Sequence, residues 1–185
     1  MKRTLSALCI VLLFASVAGF AHENHKRTLE EQQAGIDQMA EETLQRLFQA
    51  SAVTEQQFDE AIGYAVFHNT KVAMLFTGGG GVGVAVNKET GERTYMKMGT
   101  AGIGLSLGAQ VYDVIFLFQD KGALQHFVRS GWESETQASL VAGTMGANAA
   151  SSFLRGKRIY QLTASGVMAS ADISGSKYWV SKKLN

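Results

Sequence analysis

TGGGGVGVAVNKETGERTYMKMGTAGIGLSLGAQVYDVIFLF, residues 77–118, is the stretch whose reading decides the fold of this 185-residue chain. Its side chains alternate with period two, the signature of a β-strand rather than a helix. Val82, Val84 and Val86 fall on one face, with Gly81, Gly83 and Ala85 on the other. Ile103, Leu105 and Leu107 repeat the pattern against Gly102, Gly104, Ser106 and Gly108. The second face is bald where an ordinary half-buried strand would be polar. Glycine within a strand costs about 0.5–1 kcal/mol relative to alanine. The ten glycines between Gly78 and Gly108 therefore need a geometric reason: bending, bulges, or a close approach to the backbone. Close packing and a ligand groove over Gly83, Gly104, Ser106 and Gly108 are the two readings of that face.

The flanking segments supply the rest of an α+β domain. Residues 28–50 carry a helical stripe of Ile36, Met39, Ala40, Leu44, Leu47 and Phe48 opposite an acidic face. Membrane-surface helices usually present basic polar faces, so this helix is expected to pack on its own domain. A second helix is expected from Thr54, with Gln57 completing a capping box, before Gly63 leads into an extended run from Tyr64 to Phe67. Strands are expected at Val72–Phe76, Gly81–Val86 and Thr94–Met98, the last two joined by a hairpin loop through Gly91. Val111 to Phe118 is apolar on both faces apart from Asp113, which places it centrally in the sheet. Asp120 is positioned to cap a short helix through Arg129 with Leu124, Phe127 and Val128 inward. Trp132 to Ser152 is rich in small residues. Strands at Ile159–Ala164 and Met168–Ile173, then Tyr178–Val180, close the chain. The expected architecture is a bent, glycine-rich antiparallel sheet, a sandwich or partial barrel, covered by two N-terminal helices and one short mid-chain helix.

Residues 1–21 have a basic start (Lys2, Arg3), an apolar run and small residues before a polar segment, the pattern of a secretory signal peptide. Cleavage after Ala21 removes Cys9, the chain's single cysteine, so disulfide and thiol chemistry are not expected of a periplasmic or envelope-associated product comprising residues 22–185 as one domain. Charge is uneven, −5 from His22 to Lys71 and +4 from Val72 onward. The near-neutral total argues against nucleic-acid binding. The basic residues of the last third, Arg155, Lys157, Arg158, Lys177, Lys182 and Lys183, are candidates for contact with anionic lipid, all the more because Lys177 adjoins Tyr178 and Trp179.

Catalytic patterns fail on context. Gly78-x-Gly80-x-x-Gly83 matches a dinucleotide fingerprint, but a strand follows it where a helix is required. Gly104-Leu105-Ser106-Leu107-Gly108 matches a nucleophile elbow, with Asp120 and His126 after it. The serine, however, sits within a period-two strand and not at a strand-to-helix turn. His22, His25, His68 and His126 form no ligand set at metal-binding spacing. Neither an enzyme, a cofactor nor a metal is expected.

Several motifs together resemble the SYLF lipid-binding domain. Ala61-Ile62-Gly63-Tyr64-Ala65-Val66-Phe67 is similar to its opening, and Asp113–Phe118 followed by Lys121-Gly122-Ala123-Leu124-Gln125-His126-Phe127 to its apolar strand and following helix. Gly143–Ala149 is similar to a later turn of the family, and Ser165–Ser176 to its close. His68 stands where that family usually has a proline, and Thr144 and Ala147 replace a proline and an arginine. The resemblance implies a non-enzymatic domain that binds membrane lipids, phosphoinositides in eukaryotic members, with actin binding in some fungal ones. For an exported bacterial chain it implies an anionic phospholipid or acyl chain as ligand, with a protein-binding or scaffold role as the alternative. The processing expectation is directly checkable. The intact mass of exported material should equal residues 22–185, whereas a full-length mass would make the apolar run an anchor.

Overall fold

The computed structural model describes residues 27–73, 76–103, 108–133, 156–163, 166–169 and 175–185. Two helices open the described chain, α1 (Leu29–Ala50) and α2 (Ala52–Glu60). Four long strands follow: β1 (Gly63–Ala73), β2 (Phe76–Asn87), β3 (Arg93–Ile103) and β4 (Gly108–Phe118). Then come α3 (Lys121–Ser130), the short β5 (Trp132–Glu133), β6 (Lys157–Thr163), β7 (Gly166–Ala169) and β8 (Ser176–Val180). All eight strands join one sheet in the order β5-β8-β3-β2-β1-β4-β6-β7, and every pairing is antiparallel. The α+β class and the glycine-rich antiparallel sheet are as the sequence indicates. The sheet is open, with β5 and β7 at its edges.

Boundaries differ from expectation in physically instructive places. Val72–Phe76 is not a strand of its own: β1 runs unbroken through Ala73, and β2 begins at Phe76. Thr54 is not an N-cap. Ser51 precedes α2, and the Thr54 hydroxyl donates back to the carbonyls of Leu47 and Ser51, tying the two helices together. The capping box belongs instead to α1, where Thr28 and Glu31 bond reciprocally. Asp120 caps α3 as its position requires, its carboxylate accepting from the Ala123 amide at 2.8 Å. Gly104, Ser106 and the 143–149 turn lie outside the described residues, as do the signal segment and Arg155.

The sheet is strongly curled. β8 and β4 are separated by β3, β2 and β1, four steps that would span about 19 Å in a flat sheet. Yet the rings of Tyr178 on β8 and Phe116 on β4 lie 5.1 Å apart, and Phe67 on β1 is 4.7 Å from Tyr178. These rings, with Phe118, Met96, Met98 and the α3 residues Leu124 and Phe127, form a core on the concave face. Burial pushes the Tyr178 phenol well above the ordinary tyrosine pKa, so it serves as a neutral ring in this core. The convex face carries a second core, in which Ile36, Ala40, Leu44 and Leu47 of α1 cover Val66, Val84, Ile115 and Leu117.

Gly83 shows why the concave side of β2 must be bare. A Cβ there would stand 2.1 Å from the Val66 carbonyl oxygen and 2.5 Å from a Phe67 ring carbon. The curl brings a neighbouring strand and its aromatic ring into the space a side chain would occupy, so this part of the bald face is close packing, not a groove. Gly83→Val is expected to overpack the core and lower stability by about 1–3 kcal/mol or more. Gly78→Ala, at a position where an added Cβ would meet nothing within 4 Å, should leave the melting temperature unchanged or raised. Thermal denaturation of the two variants checks the contrast.

Candidate functional site

The helices cover only part of the convex face. Toward the start of β2 the same face is exposed, and alternation places Val82, Gly80 and Gly78 on it. Val82 is 38% exposed, Val111 on β4 54% and Trp179 on β8 40%. The other two exposed large apolar side chains among the described residues, Leu29 and Val53, lie on helices. Beside Val82, toward the start of β2, the backbone is nearly bare. A Cβ added at Gly78 would meet no atom within 4 Å, and one at Gly80 only the Met98 carbonyl oxygen at 3.7 Å. At Gly99 it would lie 3.2 Å from the Trp179 ring. The glycines thus serve two surfaces: Gly81 and Gly83 are filled from the concave side, Gly78 and Gly80 open to the outside, and Gly99 lies under the Trp179 ring.

A charged cluster marks the border between covered and open halves. Asp113, in the middle of the otherwise apolar β4, is 3% exposed. Its carboxylate accepts from Arg46 Nη2 of α1 at 2.5 Å and pairs with His68 Nδ1 of β1 at 2.6 Å. A carboxylate can only accept from a ring nitrogen here, so Nδ1 carries the proton. Arg46 Nη2 also donates to Thr43, whose hydroxyl is buried one turn away. His68 faces Val82 across one strand boundary and Asp113 across the other. Sequence reading singled out Asp113 as the one polar residue of its strand and His68 as a departure from the family pattern. Only the fold brings them to Arg46, 67 residues from Asp113 in sequence.

The basic residues of the last third do not form one patch. Lys157 and Arg158 begin β6, whereas Lys177 lies on β8, with β3, β2, β1 and β4 between the two strands in the sheet order. Arg158 is nearly buried, its side chain 10% exposed and its Nη1 3.6 Å from Glu60 of α2. Lys182 and Lys183 sit in the exposed C-terminal turn, next to Asn185, whose amide side chain brackets the Tyr95 backbone. Of these residues, Lys177 alone shares the open sheet face, two positions before Trp179; Lys97, the cross-strand partner of Trp179, adds a second cation. Gly108, at the start of β4, pairs with Ala73. On the opposite side, a cavity of about 310 Å³ between the β2–β3 hairpin and α3 sets Glu92 among Lys121 and Arg129, a lining of mixed charge. Among the described residues no three His, Cys, Asp or Glu side chains are placed to share a metal ion, and no helix is long and apolar enough to cross a membrane.

Comparison with known proteins agrees with the motif resemblance. Residues 99–185 match the family model described as "Ysc84: Las17-binding protein actin regulator". The chain is also 40% identical over 158 residues to "Beta cell expansion factor A" of Aeromonas veronii, an alignment covering 85% of this chain and 60% of that protein. The chain therefore spans less than two thirds of that relative's length.

The border cluster makes a stability prediction. Arg46→Met leaves the Asp113 carboxylate buried with the imidazole as its remaining partner. Removing one partner of a fully buried pair costs about 3–5 kcal/mol, and the half-exposed Arg46 should fall at or below the low end of that range. The double variant Arg46→Met, Asp113→Leu should recover most of the loss, and chemical denaturation of the four-member cycle measures the coupling.

Proposed function

We propose that this chain, whose residues 99–185 match the Ysc84 family model, is a non-enzymatic lipid-binding protein of the cell envelope, exported and cleaved after Ala21, which lies on a membrane through the open half of its convex sheet face. The observation that carries this reading is the exposure of Val82, Val111 and Trp179 on one face, with the open backbone of Gly78 and Gly80 beside Val82. Burying apolar surface is favourable by about 25 cal/mol per Å². Tryptophan is suited to the interfacial zone, where its ring is apolar and its N–H stays wet. Lys97 and Lys177 beside it would each add about 1 kcal/mol near an anionic surface. The open backbone at Gly78 and Gly80, next to Val82, lets lipid approach that part of the sheet face without displacing side chains.

Arg158 pairs with Glu60, Lys157 lies on β6, and Lys182 and Lys183 lie in the C-terminal turn beyond β8, so their share in binding is secondary in this reading. A protein-binding role is the alternative, since the matching family description names a protein-binding actin regulator. Vesicle flotation with purified protein separates the two, because no protein partner is present. Wild type should float with vesicles containing phosphatidylglycerol, less so as salt rises. Val82→Asp and Trp179→Ser, both at exposed positions, should lose capture several-fold with unchanged melting temperature. Equal capture by wild type and both variants would remove this face from the mechanism.

A further inference from the structure

We infer that Arg46 and His68, held in place by Asp113, form a recognition site for the phosphate of an anionic headgroup at the edge of the open sheet face. The inference rests on the lipid-binding reading for the source of the phosphate, but its chemistry stands on the cluster alone. Asp113 spends one carboxylate oxygen on the Arg46 guanidinium and the other on the His68 imidazole. Each group is fixed at one end and free at the other. The Arg46 side chain is 53% exposed and the His68 side chain 45% exposed. Among the described residues Arg46 Nε and Nη1 and His68 Nε2 make no hydrogen bond. A guanidinium has further N–H donors in a planar fork suited to phosphate oxygens, and an imidazolium adds a donor at Nε2. The Arg46 charge is matched by Asp113, and protonation of His68 on binding an anion would leave the cluster with a net charge of +1 for the phosphate to neutralise.

Position supports the assignment. His68 is the cross-strand partner of Val82, and Val111 lies two residues before Asp113 on the same face. A lipid whose chains meet Val82 and Val111 would therefore bring its phosphate within reach of the two side chains. The groups facing His68 are Asp113 from β4, Arg46 from α1 and the neutral Val82 from β2. The nearest further acid on α1, Glu42, accepts from Gln38 at 2.9 Å. Asp113 is a positioning residue in this scheme, setting the directions of the two donors without touching the ligand.

The test follows the imidazole proton resonances of the full chain by NMR, with His68 assigned through His68→Gln. Two arms separate the sources of phosphate: inorganic phosphate at constant ionic strength, and phosphatidylcholine vesicles with or without phosphatidic acid. The expected result is a saturable shift of the His68 resonance with phosphatidic acid vesicles, absent with phosphatidylcholine alone. In Arg46→Lys, which keeps a cation for Asp113 but lacks the planar fork, the shift should be lost or need several-fold more ligand. His68→Gln, at an exposed position, should lower capture by phosphatidic acid vesicles several-fold without changing the melting temperature. Movement with inorganic phosphate as well would support the same chemistry acting on a free anion. If phosphate moves His68 while no vesicle captures the protein, the lipid reading fails and the anion site stands. A His68 resonance indifferent to both ligands, or one that moves equally in Arg46→Lys, overturns the proposal.

Discussion

The curl of the sheet is the constraint from which the rest of the structure follows. Tyr178, Phe67, Phe116 and Phe127 can share one core only if strands four steps apart face each other, and that requires bending β2 and β3 sharply. Bending a sheet crowds its concave side. Gly83 and Gly81, where a Cβ would stand about 2 Å from a β1 carbonyl, are where the crowding is relieved. The cost of glycine within a strand, about 0.5–1 kcal/mol each, is offset by burial of rings that bring roughly 150–250 Å² apiece out of water. α3 completes the core with Leu124 and Phe127, and its Asp120 cap fixes where the chain leaves β4 to do so.

A curled sheet also has a convex side that diverges, and one 22-residue helix cannot cover all of it. α1 spends its apolar stripe on Val66, Val84, Ile115 and Leu117, which lie toward one end of the strands. The other end is left to Val82, Val111 and Trp179. The same glycine repeat therefore does opposite things on the two faces. It admits neighbouring protein atoms inside and leaves backbone open outside. The C-terminus belongs to the covered half: Leu184 is buried beneath α1, and its carbonyl accepts from Gln33 at 2.8 Å.

Much of this was legible in the residues because it is local. Period-two alternation, the Asp120 cap, the Gly91 hairpin and the apolar stripe of α1 each depend on side chains a few positions apart. The two-sided burial of β4 was legible too, since a strand apolar on both faces has to be central. What could not be read is whatever depends on sheet order. Nothing local says that β4 pairs with β1 instead of β3, and without that pairing His68 and Asp113 are unrelated. The same holds for the basic residues. Lys157 and Lys177 are 20 positions apart and look like one patch, but β6 and β8 sit on opposite sides of the β1–β3 meander. Arg158 reads as a surface cation until α2 places Glu60 beside it. The Thr54 reading failed because a threonine before a helical run fits a cap and a helix–helix tether equally well. Only the position of Leu47 distinguishes them.

Asp113 is the residue least explained by stability. β4 is buried from Tyr112 to Phe118, with Val114, Ile115, Phe116, Leu117 and Phe118 all fully enclosed, and an apolar side chain at position 113 would continue the pattern. Taking a carboxylate out of water costs several kcal/mol, and replacing a buried ion pair with apolar residues is often neutral or stabilising. A packing argument alone would therefore select against it. What an ionised Asp113 does, and a valine could not, is hold a guanidinium and an imidazole from different elements at the rim of an uncovered apolar face. Arg46 comes from the helix that closes one half of that face, and His68 from the strand that opens into the other. The cluster consequently sits where a boundary between protein-covered and ligand-covered surface would have to be defined, and its charge makes that boundary chemically selective.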